Sequence, residues 1–219
     1  MSSAPGPAVL VMAKAPRPGH AKTRLEPLLG RAGCARLQAA LVTRAARWAH
    51  AVVDADTWVA FDPPDARSEL ARLVGPDVRL LPQVPGDLGQ RIAAAATSIH
   101  VARPGPVLVV GCDVPALGPQ HARAALDDLA DGCQIVVGPA LDGGYYLLAV
   151  AEDRPELFDL PSQAWGGPEV LALTLARAQG LSLGLLRAER DLDTPDDVRA
   201  ALADPLIAPG LAELLSPPG

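Results

Sequence analysis

Cysteine is scarce in this chain, and the three present, Cys34, Cys112 and Cys133, lie far apart. That excludes a disulfide framework and offers no Cys-x-x-Cys metal site. Long apolar runs are missing too, and none approaches the ~18 residues that a bilayer-spanning helix needs. The first apolar stretch, residues 8–13, is too short for a signal peptide and has no basic residue ahead of it. A cytoplasmic chain with no membrane partner is therefore expected. Positive charge is in deficit, with 19 Lys and Arg against 25 Asp and Glu for a net charge of −6. Nucleic acid is thereby excluded as a general partner, because binding it needs a basic surface that displaces counterions. No internal repeat and no Gly/Ser linker divides the 219 residues. One domain over residues 1–219 is expected, with its core at about 8–203 and an irregular Pro-rich tail at 205–219. A chain of this length buries a sizeable core without covalent staples.

What is present alternates between short β-type runs and longer helical stretches. Strands are expected at 8–13, 57–61, 78–81, 106–110, 134–137, 145–150 and 181–186. Helices are expected at 27–53, 65–74, 87–101, 119–130, 169–179 and 195–203. In the first long helix Leu28, Ala32, Ala35, Ala39, Val42, Ala46 and Ala49 recur at three- and four-residue steps, one apolar face. Asp87 with Gln90 three residues on is a capping-box start. The runs at 8–13 and 106–110 are continuously apolar, as strands buried on both faces are. The alternation implies βαβ units: an α/β fold, three αβα layers around a mostly parallel sheet. Ligands in such sheets bind beyond the carboxyl ends of the strands.

The loop after the first strand carries Lys14, Arg17, Lys22 and Arg24, plus His20, with no acid before Glu26. Placed at a strand end beside a helix start, these cations suit a polyphosphate, and Thr23 adds a hydroxyl donor. The glycine spacings of a Walker loop or a dinucleotide fingerprint are absent. Arg91, just inside the helix that follows Gly86-Asp87-Leu88-Gly89, is free to reach a phosphate.

The fourth strand ends in Gly111-Cys112-Asp113-Val114-Pro115. A carboxylate there is placed either to hold a divalent metal or to cap the next turn. Cys112 beside it reads as a small buried hydrophobe. Further on, Asp191-Leu192-Asp193-Thr194-Pro195-Asp196-Asp197 holds four carboxylates. Thr194 as N-cap, Pro195 at the first helical position and two acids in the first turn account for half of it. Asp191 and Asp193 precede the cap and remain as second and third metal-ligand candidates. Asp142-Gly143-Gly144-Tyr145 is either a hairpin turn or a place where a ligand approaches the backbone closely, with Tyr145 as a stacking face. His50, His100 and His121 fall in helices, form no cluster and read as ordinary side chains.

Taken in order, five motifs resemble the nucleotide-diphospho-sugar transferase superfamily, which shares the glycosyltransferase-A fold. They are the loop from Ala13 to Leu25, Gly86-Asp87-Leu88-Gly89 with Arg91, Gly111 to Pro115, Gly138 to Tyr145 and Asp191 to Asp197. The similarity runs from about Val9 to Leu202. It is greatest to bacterial proteins labelled arsenosugar-biosynthesis glycosyltransferases, and more distant to 2-phospho-L-lactate and molybdenum-cofactor guanylyltransferases. The resemblance implies one catalytic domain whose Lys22 and Arg24 bind nucleotide phosphates and act in catalysis with Asp113. It implies Mg²⁺ or Mn²⁺ on Asp113 with Asp193 or Asp191, and an acceptor near Asp142, Gly143, Gly144, Tyr145 and Trp165. Glycosyltransferases of this fold often carry Asp-x-Asp after the fourth strand, where this chain reads Asp113-Val-Pro. The expected activity is glycosyl transfer from a nucleotide-sugar to a small acceptor. Nucleotidyl transfer from an NTP to a phosphorylated small molecule is the alternative, and a catalytically silent nucleotide sensor the third.

Overall fold

The computed structural model describes residues 6–52, 55–205 and 207–216. Among them, seven strands form one sheet in the order β3-β2-β1-β4-β6-β5-β7. The strands are β1 (Ala8–Lys14), β2 (Asp56–Asp62), β3 (Arg79–Pro82), β4 (Val107–Gly111), β5 (Ile135–Pro139), β6 (Tyr145–Val150) and β7 (Leu183–Leu185). All run parallel except β6, which pairs antiparallel with both β4 and β5. The β5–β6 link is a tight hairpin, so β6 starts at the edge where the parallel strands end. That brings Tyr145 to the same rim as Lys14 and Gly111.

The described residues also form seven α-helices, α1 (Glu26–His50), α2 (Arg67–Val74), α3 (Leu88–Ala102), α4 (Pro119–Ala130), α5 (Val170–Arg177), α6 (Pro195–Ala203) and α7 (Pro209–Leu215), besides four short 3-10 turns. Alternation within each strand sends side chains to opposite faces. Val9, Val11, Val59, Phe61, Leu108 and Val110 pack with α1, α2 and α4. Leu10, Ala60, Val107 and Val109 pack with α3 and with Leu171 and Leu175 of α5. Both faces are covered, which is why β1 and β4 read as unbroken apolar runs. The expected three-layer α/β architecture is the one observed. The α3 start is also as read: the Asp87 side chain accepts from Gln90 N, and the Gln90 side chain accepts from Asp87 N.

Two expectations need correction. The tail was expected to be irregular, yet Pro209–Leu215 is helical and buries Leu211 and Leu215. Its docking surface is a second apolar side of α1, formed by Leu29, Leu37 and Leu41 together with Leu25, Leu192 and Val198. The one-faced stripe assigned to α1 is therefore also incomplete. Ala35, Val42, Ala46 and Ala49 are buried as the stripe requires, but Ala32 is exposed. Periodicity sees one face per helix, and α1 is covered on two. The helix also breaks direction at Gly30 (φ 65°). Its expected end, Val53, lies outside the described residues.

Candidate active site

The carboxyl rim of the sheet encloses a cavity of about 430 Å³. Its lining at the β3-β2-β1 end includes Lys14, Gln83, Leu88 and Arg91, and at the β4-β6-β5 end Asp113, Asp142, Gly144, Tyr145 and Asp191. Lys14 closes β1 and is exposed, with no side-chain partner among the described residues. Arg91, one turn into α3, donates to the Gly86 carbonyl (2.9 Å) and pairs with Asp62 (3.4 Å). Gln83 spans β1 and β2 by donating to the carbonyls of Ala13 (3.4 Å) and Ala60 (2.9 Å).

The centre of the site is Lys22. It adopts a left-handed backbone conformation (φ 54°), the single non-glycine case among the described residues. Its side chain is only 3% exposed, and its ammonium donates to the Leu192 carbonyl at 2.7 Å and meets Asp113 Oδ1 at 2.7 Å and Asp193 Oδ1 at 3.3 Å. Burial pulls the Lys22 pKa down, but Asp113 and then Asp193 outweigh it and raise it above the usual lysine value. The second Asp193 oxygen meets Arg24 at 3.3 Å. Leu192 N donates to the Asp113 carbonyl at 2.9 Å, so the acidic segment is sewn to the tip of β4. Asp113 does not cap α4, which starts six residues later at Pro119.

Asp191 lines the cavity beside these groups. Burial and then Asp142, helped by Asp197 and Asp193, push its carboxyl up to about 6, against one backbone hydrogen bond that lowers it. Asp113, Asp191 and Asp193 are hard oxygen donors, and the mutual repulsion around Asp191 is what a bound cation relieves. In this respect the donor set fits Mg²⁺ or Mn²⁺. No group of three or more His, Cys, Asp or Glu residues is arranged to hold a metal by itself among the described residues.

The segment 140–144 forms the hairpin turn that its sequence allows. Ala140 N donates to Gly144 O (3.0 Å) and Gly143 N to Ala140 O (3.2 Å), closing a hairpin that also walls the cavity. Trp165 lies across the start of α3, where a Cβ on Gly89 would fall 2.6 Å from its ring.

Residues 34–166 match the family described as an uncharacterized protein conserved in bacteria (DUF2064). The chain belongs to this family. The phosphoenolpyruvate guanylyltransferase of Thermomonospora curvata is 35% identical over 188 residues, 84% of this chain and 78% of its own length. The solved structure of a Desulfovibrio desulfuricans G20 protein, described provisionally as a nucleotide-diphospho-sugar transferase, superposes with a TM-score of 0.86. It is 26% identical and covers 95% of this chain and 93% of its own. A cytidylyltransferase from Leptospira borgpetersenii shares the fold at a TM-score of 0.60 and 12% identity, over 95% and 92% of the two chains. This DUF2064 member is thus a transferase with the nucleotide-diphospho-sugar transferase fold. None of its described helices is long and apolar enough to cross a membrane.

Of the residues expected at the site, Lys14, Lys22, Arg91, Asp113, Asp142, Gly144, Tyr145, Trp165, Asp191 and Asp193 line the cavity. Thr23, Arg24 and Gly143 do not. Thr23 and Arg24 are exposed beyond Asp193, and Gly143 (φ 94°) sits so close to Pro168 that a Cβ would fall 2.2 Å from its carbonyl oxygen. Arg17 turns away from the loop to pair with Asp65 and Glu69 of the α2 region, both at 3.0 Å. Cys112 is a buried neutral thiol whose pKa burial raises, with Asp113 adding to the rise. The three cysteines are free.

His121 is not the ordinary helix side chain that its sequence position suggests. Buried on α4, it donates from Nε2 to Glu189 Oε1 (2.8 Å) and accepts at Nδ1 from Gly118 N (3.0 Å). Its ring stands edge-on to Tyr146 at 5.5 Å. Glu189 also pairs with Arg187 (2.5 Å), and its backbone bonds Pro139 and Leu141. This group ties the approach to the acidic segment onto the end of β5. The partners lie 68 residues apart, so no local spacing marks them.

Proposed function

We propose that the cavity binds a nucleotide-sugar and transfers its glycosyl group to a hydroxyl-bearing small acceptor. The observation that carries this is the division of charge along the rim. Lys14, which has no side-chain partner among the described residues, and the guanidinium of Arg91 stand at the β3-β2-β1 end, where they suit a diphosphate. The β4-β6-β5 end offers Asp113, Asp142 and Asp191, and the Lys22 ammonium that meets Asp113 there has all three protons engaged. Carboxylates that line the cavity together with Tyr145 suit hydroxyl donors and repel a phosphorylated acceptor.

Mg²⁺ or Mn²⁺ on Asp113 with Asp193 or Asp191 would supply positive charge to the donor phosphates. Lys14 and Arg91 stabilise the charge that develops as the glycosyl carbon–oxygen bond to the diphosphate breaks. Asp142 accepts the proton of the acceptor hydroxyl as its oxygen bonds to that carbon. Gly144 N–H donates to Asp142 Oδ1 (2.9 Å) and holds the carboxylate in place.

A second reading, nucleotidyl transfer from an NTP with loss of pyrophosphate, is favoured by the guanylyltransferase name of the 35%-identical relative. A thermal-shift panel of four NTPs and the common nucleotide-sugars, each with Mg²⁺ and with EDTA, separates the two. A ligand at a hundred times its Kd stabilises by about 2.7 kcal/mol, roughly 5–10 °C for a chain of this size. A Mg²⁺-dependent shift confined to nucleotide-sugars supports glycosyl transfer. A shift confined to one NTP replaces it with nucleotidyl transfer.

A further inference from the structure

The chain has two lysines, Lys14 and Lys22, against 17 arginines; Lys14 ends β1 and Lys22 lies in the loop that follows. They are eight residues apart and in opposite situations. Lys14 is exposed on the cavity wall with no side-chain partner among the described residues. Lys22 is buried, and its three N–H protons meet three oxygens: the Leu192 carbonyl (2.7 Å), Asp113 Oδ1 (2.7 Å) and Asp193 Oδ1 (3.3 Å). An ammonium has three donors, so Lys22 has none to spare for a phosphate. It stands between two carboxylates that line the site, the position a divalent cation would compete for.

We infer that Lys22 is an internal counter-cation that holds Asp113 and Asp193 together and withholds them from a divalent metal until a ligand draws it away. Several features are arranged for this. The left-handed backbone at Lys22 lets the side chain turn inward from a loop whose neighbours Thr23 and Arg24 are exposed. Leu192, which supplies the carbonyl, is itself fully buried, so that acceptor cannot drift. The Leu192 N–H to Asp113 carbonyl bond (2.9 Å) keeps the two acids in register while Lys22 balances their charge. Lys14, by contrast, is the ammonium open to an incoming phosphate. It follows that phosphate and metal favour each other: a phosphate oxygen that accepts from Lys22 frees Asp113, and a metal on Asp113 frees Lys22. This consequence rests on the proposed nucleotide-dependent transfer, but the assignment of Lys22 is tested without any nucleotide.

The first test is Mn²⁺ binding to the nucleotide-free protein, followed by electron paramagnetic resonance. Lys22→Met keeps the length of the side chain and removes its charge. It is expected to tighten Mn²⁺ binding by about tenfold or more, because a unit charge a few ångströms away is only partly screened in a cavity. Equal or weaker binding, including no binding by either protein, overturns the proposal. The second test needs no variant and so stands if Lys22→Met does not fold. Reductive methylation of the native protein, read by mass spectrometry, has only two lysine side chains to report. Modified Lys14 with protected Lys22 is expected, and equal modification of the two overturns the proposal. Failure of the nucleotide-sugar panel described above would remove the transfer reading and leave both of these outcomes intact.

Discussion

Removing the carboxylate of Asp197 should loosen the acidic segment more than any exposed acid could. Asp197 Oδ2 accepts from Thr194 N (2.8 Å), Thr194 Oγ1 (2.7 Å) and Asp193 N (3.2 Å), and Oδ1 accepts from Arg190 (3.0 Å). The residue is thus the third-position partner of the capping box that opens α6, and it also anchors the backbone of Asp193. Arg190 is half exposed and contributes little. The N–H bonds to a charged, largely buried acceptor are worth about 1.5–3 kcal/mol each, and they overlap. We therefore expect Asp197→Ala to cost about 2–4 kcal/mol, or about 4–16 °C in Tm.

The loss should depend on pH in a defined sense. Burial pushes the Asp197 carboxyl up, but its bonds from Thr194, Arg190 and Asp193 prevail and hold it below the usual range. A lowered native pKa means that the stabilisation is complete above the unfolded value of about 3.9 and fades as pH falls through the native one. Urea denaturation followed by circular dichroism should show the full difference at pH 7 and a smaller one near pH 3. A difference under about 0.5 kcal/mol at pH 7, within the range of ordinary surface substitutions, or one unchanged at pH 3, would refute the reasoning.

Gly89→Ala tests the close approach of Trp165. An alanine inside a helix ordinarily stabilises by up to ~1 kcal/mol, but here the Cβ would lie 2.1 Å from the Phe158 carbonyl oxygen. A destabilisation of about 1–3 kcal/mol with shifted tryptophan fluorescence is expected, and a stabilised protein contradicts the packing. Leu215→Ala should cost about 2–5 kcal/mol in denaturant melts if α7 docks on α1 as described. His121→Phe leaves Glu189 with Arg187 alone and should cost about 1–3 kcal/mol; adding Glu189→Gln should restore part of that, and purely additive losses would mean that the two side chains act independently.

Much of the fold was legible because its signals are local. β1 as far as Ala13 and β4 are apolar, as strands covered on both faces must be, and Asp87 with Gln90 marks the start of α3 within four residues. The tail was not legible. Leu211 and Leu215 form too short a pattern to declare a helix, and what makes them helical is the second face of α1, nearly two hundred residues away. Among site residues, Lys14, Asp113, Asp142 and Asp191 follow strand ends or their hairpins, so topology alone delivers them to one rim.

Local chemistry by itself set the α/β alternation, the basic loop and the acidic segment, because each is written in consecutive residues. Which charges meet was decided only by tertiary structure. Arg17 and Lys22 are five residues apart in one loop, yet one turns out to Asp65 and Glu69 and the other turns in to Asp113 and Asp193. Charge interactions act through distance in space, and sequence spacing does not contain that distance. His121, in the first turn of α4, and Glu189, beyond the end of β7, make the same point, for only the folded sheet brings them within 2.8 Å.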